Sequence, residues 1–157
     1  INNSATNRGG AIALDTPTSA VKVSISSSEF TGNNIRDGIN TSADYTYAGG
    51  AIAILGNNLT STYTIAGTTF EGNFVEKTGM TGRKNDHLRT FGGAIFMEAT
   101  RATLTVTDSE FNENYIDSYM PGDYYDRLHG VAIYAYADNL IIHLSRKTTW
   151  MPTDTAG

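Results

Sequence analysis

Asp15 and Glu98 are the two carboxylates best placed to act as an acid–base pair, because they hold the same outward position in two copies of one short segment. A glycoside hydrolase needs two carboxyl groups about 5–10 Å apart. Here a third copy places Leu55 between them, and the other outward strand positions are mostly Thr, Ser and Ala. Glu29 and Glu110, with Thr69 between, repeat the arrangement and read as solvent-facing. The stretch Gly79-Met80-Thr81-Gly82-Arg83-Lys84 has the outline of a phosphate loop. It lacks the full spacing, the Ser or Thr after the Lys and the strand–helix setting, and reads as a flexible loop tip. None of His87, His129 and His143 has a partner four residues away, so solvated histidines are the plainer reading. Asn85-Asp86 and Gly122-Asp123 offer oxygens to calcium, but the calcium-binding nonapeptide repeat is missing. These signals assign no catalytic residue, no metal and no cofactor, and the chain is expected not to be an enzyme.

Binding chemistry is denser than catalytic chemistry. It gathers in three connections, at about 36–48, 76–91 and 117–129. The first carries Asp37, Asp44, Tyr45 and Tyr47. The second is basic, with Lys77, Arg83, Lys84, His87 and Arg89. The third is aromatic and acidic, with Tyr119, Asp123, Tyr124, Tyr125, Asp126, Arg127 and His129. Tyrosine beside Asp and Arg suits sugar stacking or protein contact, since Tyr offers a large contact area at low entropic cost. The candidate binding residues are therefore Tyr45, Tyr47, Arg83, Lys84, Tyr119, Asp123, Tyr124, Tyr125 and Arg127. The plainer alternative is that basic and acidic connections pack on one another and cover a sheet face.

The elements that position these connections follow from a repeat. Gly9-Gly10-Ala11-Ile12 recurs as Gly49-Gly50-Ala51-Ile52, as Gly92-Gly93-Ala94-Ile95 and, degraded, as Gly130-Val131-Ala132-Ile133. The leading glycines are 40, 43 and 38 residues apart. A second motif keeps step with the first: Phe30-Thr31-Gly32-Asn33, Phe70-Glu71-Gly72-Asn73 and Phe111-Asn112-Glu113-Asn114. Trp150 stands 20 residues after Gly130, in the Phe place.

Alternation inside each repeat predicts strands. The columns Ile12/Ile52/Ile95/Ile133 and Leu14/Ile54/Met97/Ala135 are apolar and are placed inward. The column Ala13/Ala53/Phe96/Tyr134 is mixed in size and is placed outward. A second strand alternates Val23 and Ile25, Tyr63 and Ile65, and Leu104 and Val106 with Ser and Thr. A third carries Ile35, Val75 and Ile116. Three strands per repeat, each stacked on its equivalent about 4.8 Å away, make a three-sided coil. The expected fold is all-β: a right-handed parallel β-helix, or solenoid, of about four coils of roughly 40 residues, starting near 9, 49, 92 and 130, with long loops on one side. The whole of 1–157 reads as a single segment. In this scheme Gly9, Gly10, Gly49, Gly50, Gly92 and Gly93 turn tight corners. Phe30, Phe70 and Phe111 fill the core, and Asn33, Asn73 and Asn114 form an amide ladder. A sandwich or barrel of antiparallel strands explains the alternation but not two motifs held in phase.

Composition agrees with this reading. Charged residues make up 17%, against roughly 25% in ordinary domains, and Gly, Ser, Thr and Asn fill the deficit. A net charge of -5 argues against nucleic acid, which needs clustered Lys and Arg. No apolar run approaches the roughly 18 residues of a membrane span. The absence of cysteine excludes disulfides and zinc-thiolate sites. The sequons at Asn2, Asn40 and Asn58 read as chance matches in a chain this rich in Asn, Ser and Thr. A start at Ile1 reads as a processed product or a piece of a longer solenoid.

Phe-x-x-Asn paired with Gly-Gly-Ala-Ile resembles the signature repeat of the chlamydial polymorphic outer-membrane proteins, and similar repeats occur in bacterial autotransporter passengers. The likeness runs from Gly9 to about Trp150, with departures at Val131 and Thr153. It implies an extracellular or cell-surface β-helix, often an adhesin. The functional expectation is a module whose loops recognise a host-cell protein or a glycan. The alternatives are a structural spacer that self-associates through its coil ends and, more remotely, a polysaccharide-active enzyme.

Overall fold

A computed structural model describes residues 1–6, 8–15, 19–36, 46–56, 60–78, 89–119, 127–129 and 132–143. Among them the fold is all-β, with no helix. Short strands follow one another in a recurring order. The first series is β1 (Ser4–Ala5), β2 (Ile12–Asp15), β3 (Lys22–Ser26), β4 (Glu29–Thr31) and β5 (Asn34–Arg36). The next is β6 (Thr46–Ala48), β7 (Ile52–Leu55), β8 (Ser61–Ala66), β9 (Thr69–Glu71) and β10 (Phe74–Thr78). Then come β11 (Arg89–Phe91), β12 (Ile95–Thr107), β13 (Glu110–Asn112) and β14 (Tyr115–Tyr119), followed by β15 (Arg127–His129) and β16 (Ile133–His143).

Every strand pairs with its equivalent in the neighbouring repeat, and every pairing is parallel. Four sheets result. They run β1-β5-β10-β14, β6-β11-β15, β4-β9-β13, and β2-β7-β12-β8-β3 with β16 along β12. The antiparallel alternative is thereby overturned for the described residues. The repeat also sets the register. Ile12, Ile52, Ile95 and Ile133 lie side by side, as do Phe30, Phe70 and Phe111. A one-residue slip would turn every apolar side chain to the other face, so the columns lock the pairing.

The main core lies inside these columns. Ile52, Ile54, Ile65, Phe70, Ile95, Met97, Leu104 and Val106 are all at most 2% exposed. Each such side chain contributes about 1.5–3 kcal/mol on burial. The Phe rings stack nearly parallel, at 5.1 Å from Phe30 to Phe70 and 4.8 Å from Phe70 to Phe111.

The backbone turns at three recurrent places. Positive φ occurs at Gly9, Gly49 and Gly92, at Ser27, Gly67 and Asp108, and at Asn2, Gly32, Gly72 and Glu113. The second glycine of the pair has a different role. A Cβ on Gly50 would stand 2.0 Å from the Gly93 carbonyl oxygen and 2.7 Å from the Phe74 nitrogen. The pair therefore joins a left-handed turn to a close contact between backbones.

Two expectations need correction. The Ala13/Ala53/Phe96/Tyr134 column does face away from the main core, but only Ala13 in it is exposed to solvent. Ala53 and Phe96 are buried in a second apolar cluster with Ala48 and Phe91, and Leu55 and Tyr134 pack against it. The cover is the β6-β11-β15 sheet. Size matches size across the gap: Ala48 accompanies Ala53 in one repeat, Phe91 meets Phe96 at 5.6 Å in the next, and Phe91 also meets Tyr134 at 4.4 Å. The mixed column is thus matched packing. Second, among the described residues the first three repeats have more than three strands each. The three residues before Gly49, Gly92 and Gly130 are themselves a strand, and β12 and β16 run unbroken through what read as two strands. Positive φ at the first glycine lets the preceding residues stay extended and pair with their equivalents.

Candidate functional site

The three variable connections leave and rejoin the framework at stacked positions. Each begins after β5, β10 or β14, which are neighbours in one sheet, and ends at β6, β11 or β15, which are neighbours in another. The register therefore fixes both ends of each connection relative to the next. Binding residues concentrate on such segments carried by rigid elements.

Of the candidate binding residues, Tyr45, Arg83, Lys84, Asp123, Tyr124 and Tyr125 lie outside the described residues, as do Asp37, Asp44, His87 and Asp126. Three others sit on strands rather than in loops: Tyr47 in β6, Tyr119 in β14 and Arg127 in β15. Arg89 and Lys77 are likewise strand residues. Register brings Arg127 beside Arg89, and Tyr119 beside Thr78. Tyr47 stands one position along from that arginine pair, beside Thr90. Arg127 and Tyr119 belong to different sheets.

The outer face of β5, β10 and β14 adds residues that the sequence reading passed over. Phe74 and Tyr115 stack with ring centroids 4.9 Å apart and planes 4° from parallel. Tyr115 remains 38% exposed. The Arg36 guanidinium lies 5.3 Å from the Phe74 ring centre, and its Nε donates to Glu76 Oε2 at 3.0 Å. This patch directly precedes the connections, because Arg36 is the last residue of β5. Its signal was available in the column Asn34/Phe74/Tyr115, which alternates with the apolar column of buried Ile35 and Val75 and half-buried Ile116. An Arg that is both stacked and paired presents a fixed charge beside an aromatic surface. The ion pair itself is exposed and adds little stability, about 0–1 kcal/mol.

The interior is occupied by structural polar groups. Asn33, Asn73 and Asn114 form the ladder, and a fourth rung, Asn3, joins it. Asn3, Asn33 and Asn73 each donate the backbone N–H and the side-chain N–H to Oδ1 of the next Asn, at 2.9–3.1 Å. A second array was not foreseen. Ser28, Thr68 and Ser109 each donate their hydroxyl to the carbonyl two residues earlier, across the Ser27, Gly67 and Asp108 turns. Its sequence signal is a hydroxyl residue two places before each motif Phe.

Asp15 and Glu98 flank Leu55 in register. Two strand spacings separate their backbones, about 10 Å. Among the described residues no group of three or more His, Cys, Asp or Glu could hold a metal ion. No described helix is long and apolar enough to cross a membrane.

Comparison with known proteins finds no matching family model, no matching curated protein and no matching solved structure.

Proposed function

We propose that this chain is a segment of right-handed parallel β-helix from a secreted or cell-surface protein, and that it works by recognition rather than catalysis. Its parallel, in-register repeats act as a rigid frame. The connections 37–45, 79–88 and 120–126, together with the Phe74–Tyr115 patch beside them, form the recognition surface for a host-cell protein or a glycan. The observation that carries the reading is the stacking of the strands that flank the three connections, β5-β10-β14 before them and β6-β11-β15 after them. The repeat likeness to polymorphic outer-membrane proteins and autotransporter passengers supports the same reading. The direct test is binding of the purified chain to immobilised glycans and to intact host cells. Saturable, selective binding supports recognition, and its absence from a folded, soluble chain contradicts it.

A second reading, a structural spacer or self-assembling subunit, is favoured by the strand edges. Among the described residues β2, β3 and β4 each have a partner on one side only. Unpaired parallel edges are templates for further strands. Association that rises with concentration, without selective binding, would support this second reading over the first. Polysaccharide cleavage is the remote alternative. It would require that product release stop in the double variant Asp15→Asn, Glu98→Gln.

A further inference from the structure

The outer face of β3, β8 and the second half of β12 carries a grid of hydroxyls. Register sets Ser24 beside Thr64 and Thr64 beside Thr105. On one side of that row lie Lys22, Thr62 and Thr103, and on the other Ser26, Ala66 and Thr107. Seven of these nine positions are Ser or Thr, and all seven are partly or fully exposed. None of the seven hydroxyls hydrogen-bonds to another described residue. This contrasts with Ser28, Thr68 and Ser109, whose hydroxyls are all engaged. The grid is therefore unused by the fold.

Its geometry is periodic in two directions. Neighbouring strands stand about 4.8 Å apart, and alternate residues along a strand about 6.6 Å apart. The inter-strand repeat lies close to the shorter oxygen-to-oxygen repeat on the prism planes of ordinary ice, and the along-strand repeat falls somewhat short of the longer one. The five threonines are β-branched and restricted at χ1, so their hydroxyls have few orientations to lose when a ligand arrives. Ordered first-shell water costs little to immobilise when the groups that hold it are already fixed. The face also matches an uncharged ligand. In a chain of net charge -5, its nine positions include no carboxylate and one cation, Lys22. It carries no aromatic platform of the kind that sugars stack on: Tyr63, between Thr62 and Thr64, points into the core and is 1% exposed.

We propose that this face binds ice, by ordering water on the Ser/Thr grid into a layer that merges with the crystal surface. The site is separate from the recognition surface and does not depend on it.

The test uses the 157-residue chain, labelled with a fluorophore, in slowly growing ice. Three further chains accompany it: Thr64→Lys, Thr105→Lys and Glu71→Lys. Glu71 is exposed on β9, away from the grid. All four are first compared by circular dichroism and melting temperature. The wild type and Glu71→Lys should enter the ice and shape single crystals in supercooled solution. Thr64→Lys and Thr105→Lys should lose both properties while melting like the wild type. A wild type excluded from ice that leaves crystals as unshaped discs overturns the proposal. So does equal uptake of all four chains.

Discussion

Asn73 uses its whole amide to join three repeats. Its Oδ1 accepts the backbone N–H of Asn33 at 3.0 Å and the side-chain N–H of Asn33 at 2.9 Å. Its Nδ2 donates to Asn114 Oδ1 at 2.9 Å and to the Phe30 carbonyl at 2.8 Å. Both lone pairs and both protons are satisfied at full burial. Removing this amide strands groups on both neighbours. Asn73→Ala should therefore lower stability by about 3 kcal/mol, because several buried polar atoms lose partners at once. Asn73→Asp should be at least as damaging, since an oxygen would then face the Phe30 carbonyl and Asn114 Oδ1. Chemical denaturation of the two variants checks both.

Tyr63 offers the opposite case. It is 1% exposed, and its hydroxyl has no hydrogen-bond partner among the described residues. Its column neighbours are Val23 and Leu104. Tyr63→Phe removes the stranded hydroxyl and keeps the ring. It should raise stability by about 1 kcal/mol, read as a higher midpoint of denaturation. A loss of stability would show that the hydroxyl has a partner after all.

The glycines separate two physical causes. Gly72 has φ of 58° and open space where a Cβ would go. Gly72→Ala should cost about 1 kcal/mol from backbone conformation alone. Gly50→Ala meets the Gly93 carbonyl and the Phe74 backbone, which cannot move aside without separating two repeats. It should cost at least about 3 kcal/mol, or prevent folding. Melting temperatures of the pair, compared side by side, test the assignment.

The second apolar cluster makes its own prediction. Phe91 is 7% exposed, stacks on Phe96 and meets Tyr134 with tilted rings. If the β6-β11-β15 sheet is a packed layer, Phe91→Ala should cost about 3–5 kcal/mol. A change under about 0.5 kcal/mol, the size usual for surface positions, would mean that the layer is only a loose cover.

What was legible in the sequence follows from what repeats. The Gly-Gly-Ala-Ile and Phe-x-x-Asn motifs carry the pairing register and the inner columns, because identical residues stack on identical residues. The β6-β11-β15 sheet was not legible. Its members read Thr46-Tyr47-Ala48, Arg89-Thr90-Phe91 and Arg127-Leu128-His129, and apart from the Arg89/Arg127 pair they share no residue type at equivalent positions. They are strands because glycine turns and neighbouring strands hold them, which is a tertiary cause. The burial of the outward-facing Phe96 was not legible for the same reason, since its cover comes from residues with no common signature. The Phe74–Tyr115 patch was less legible because Asn34, Phe74 and Tyr115 differ in residue type, whereas the alternating Ile35, Val75 and Ile116 repeat one apolar type.

The central claim is that recognition resides in the connections and not in the frame. The most direct measurement is the affinity of the chain for whichever cell or glycan it selects, before and after replacing residues 120–126 with a Gly-Ser segment of equal length. Thr105→Lys, on the hydroxyl face, serves as the control. Loss of binding with an unchanged melting temperature in the replaced chain, and full binding in the control, is the predicted result. Undiminished binding after the replacement, or equal loss in both, would contradict it.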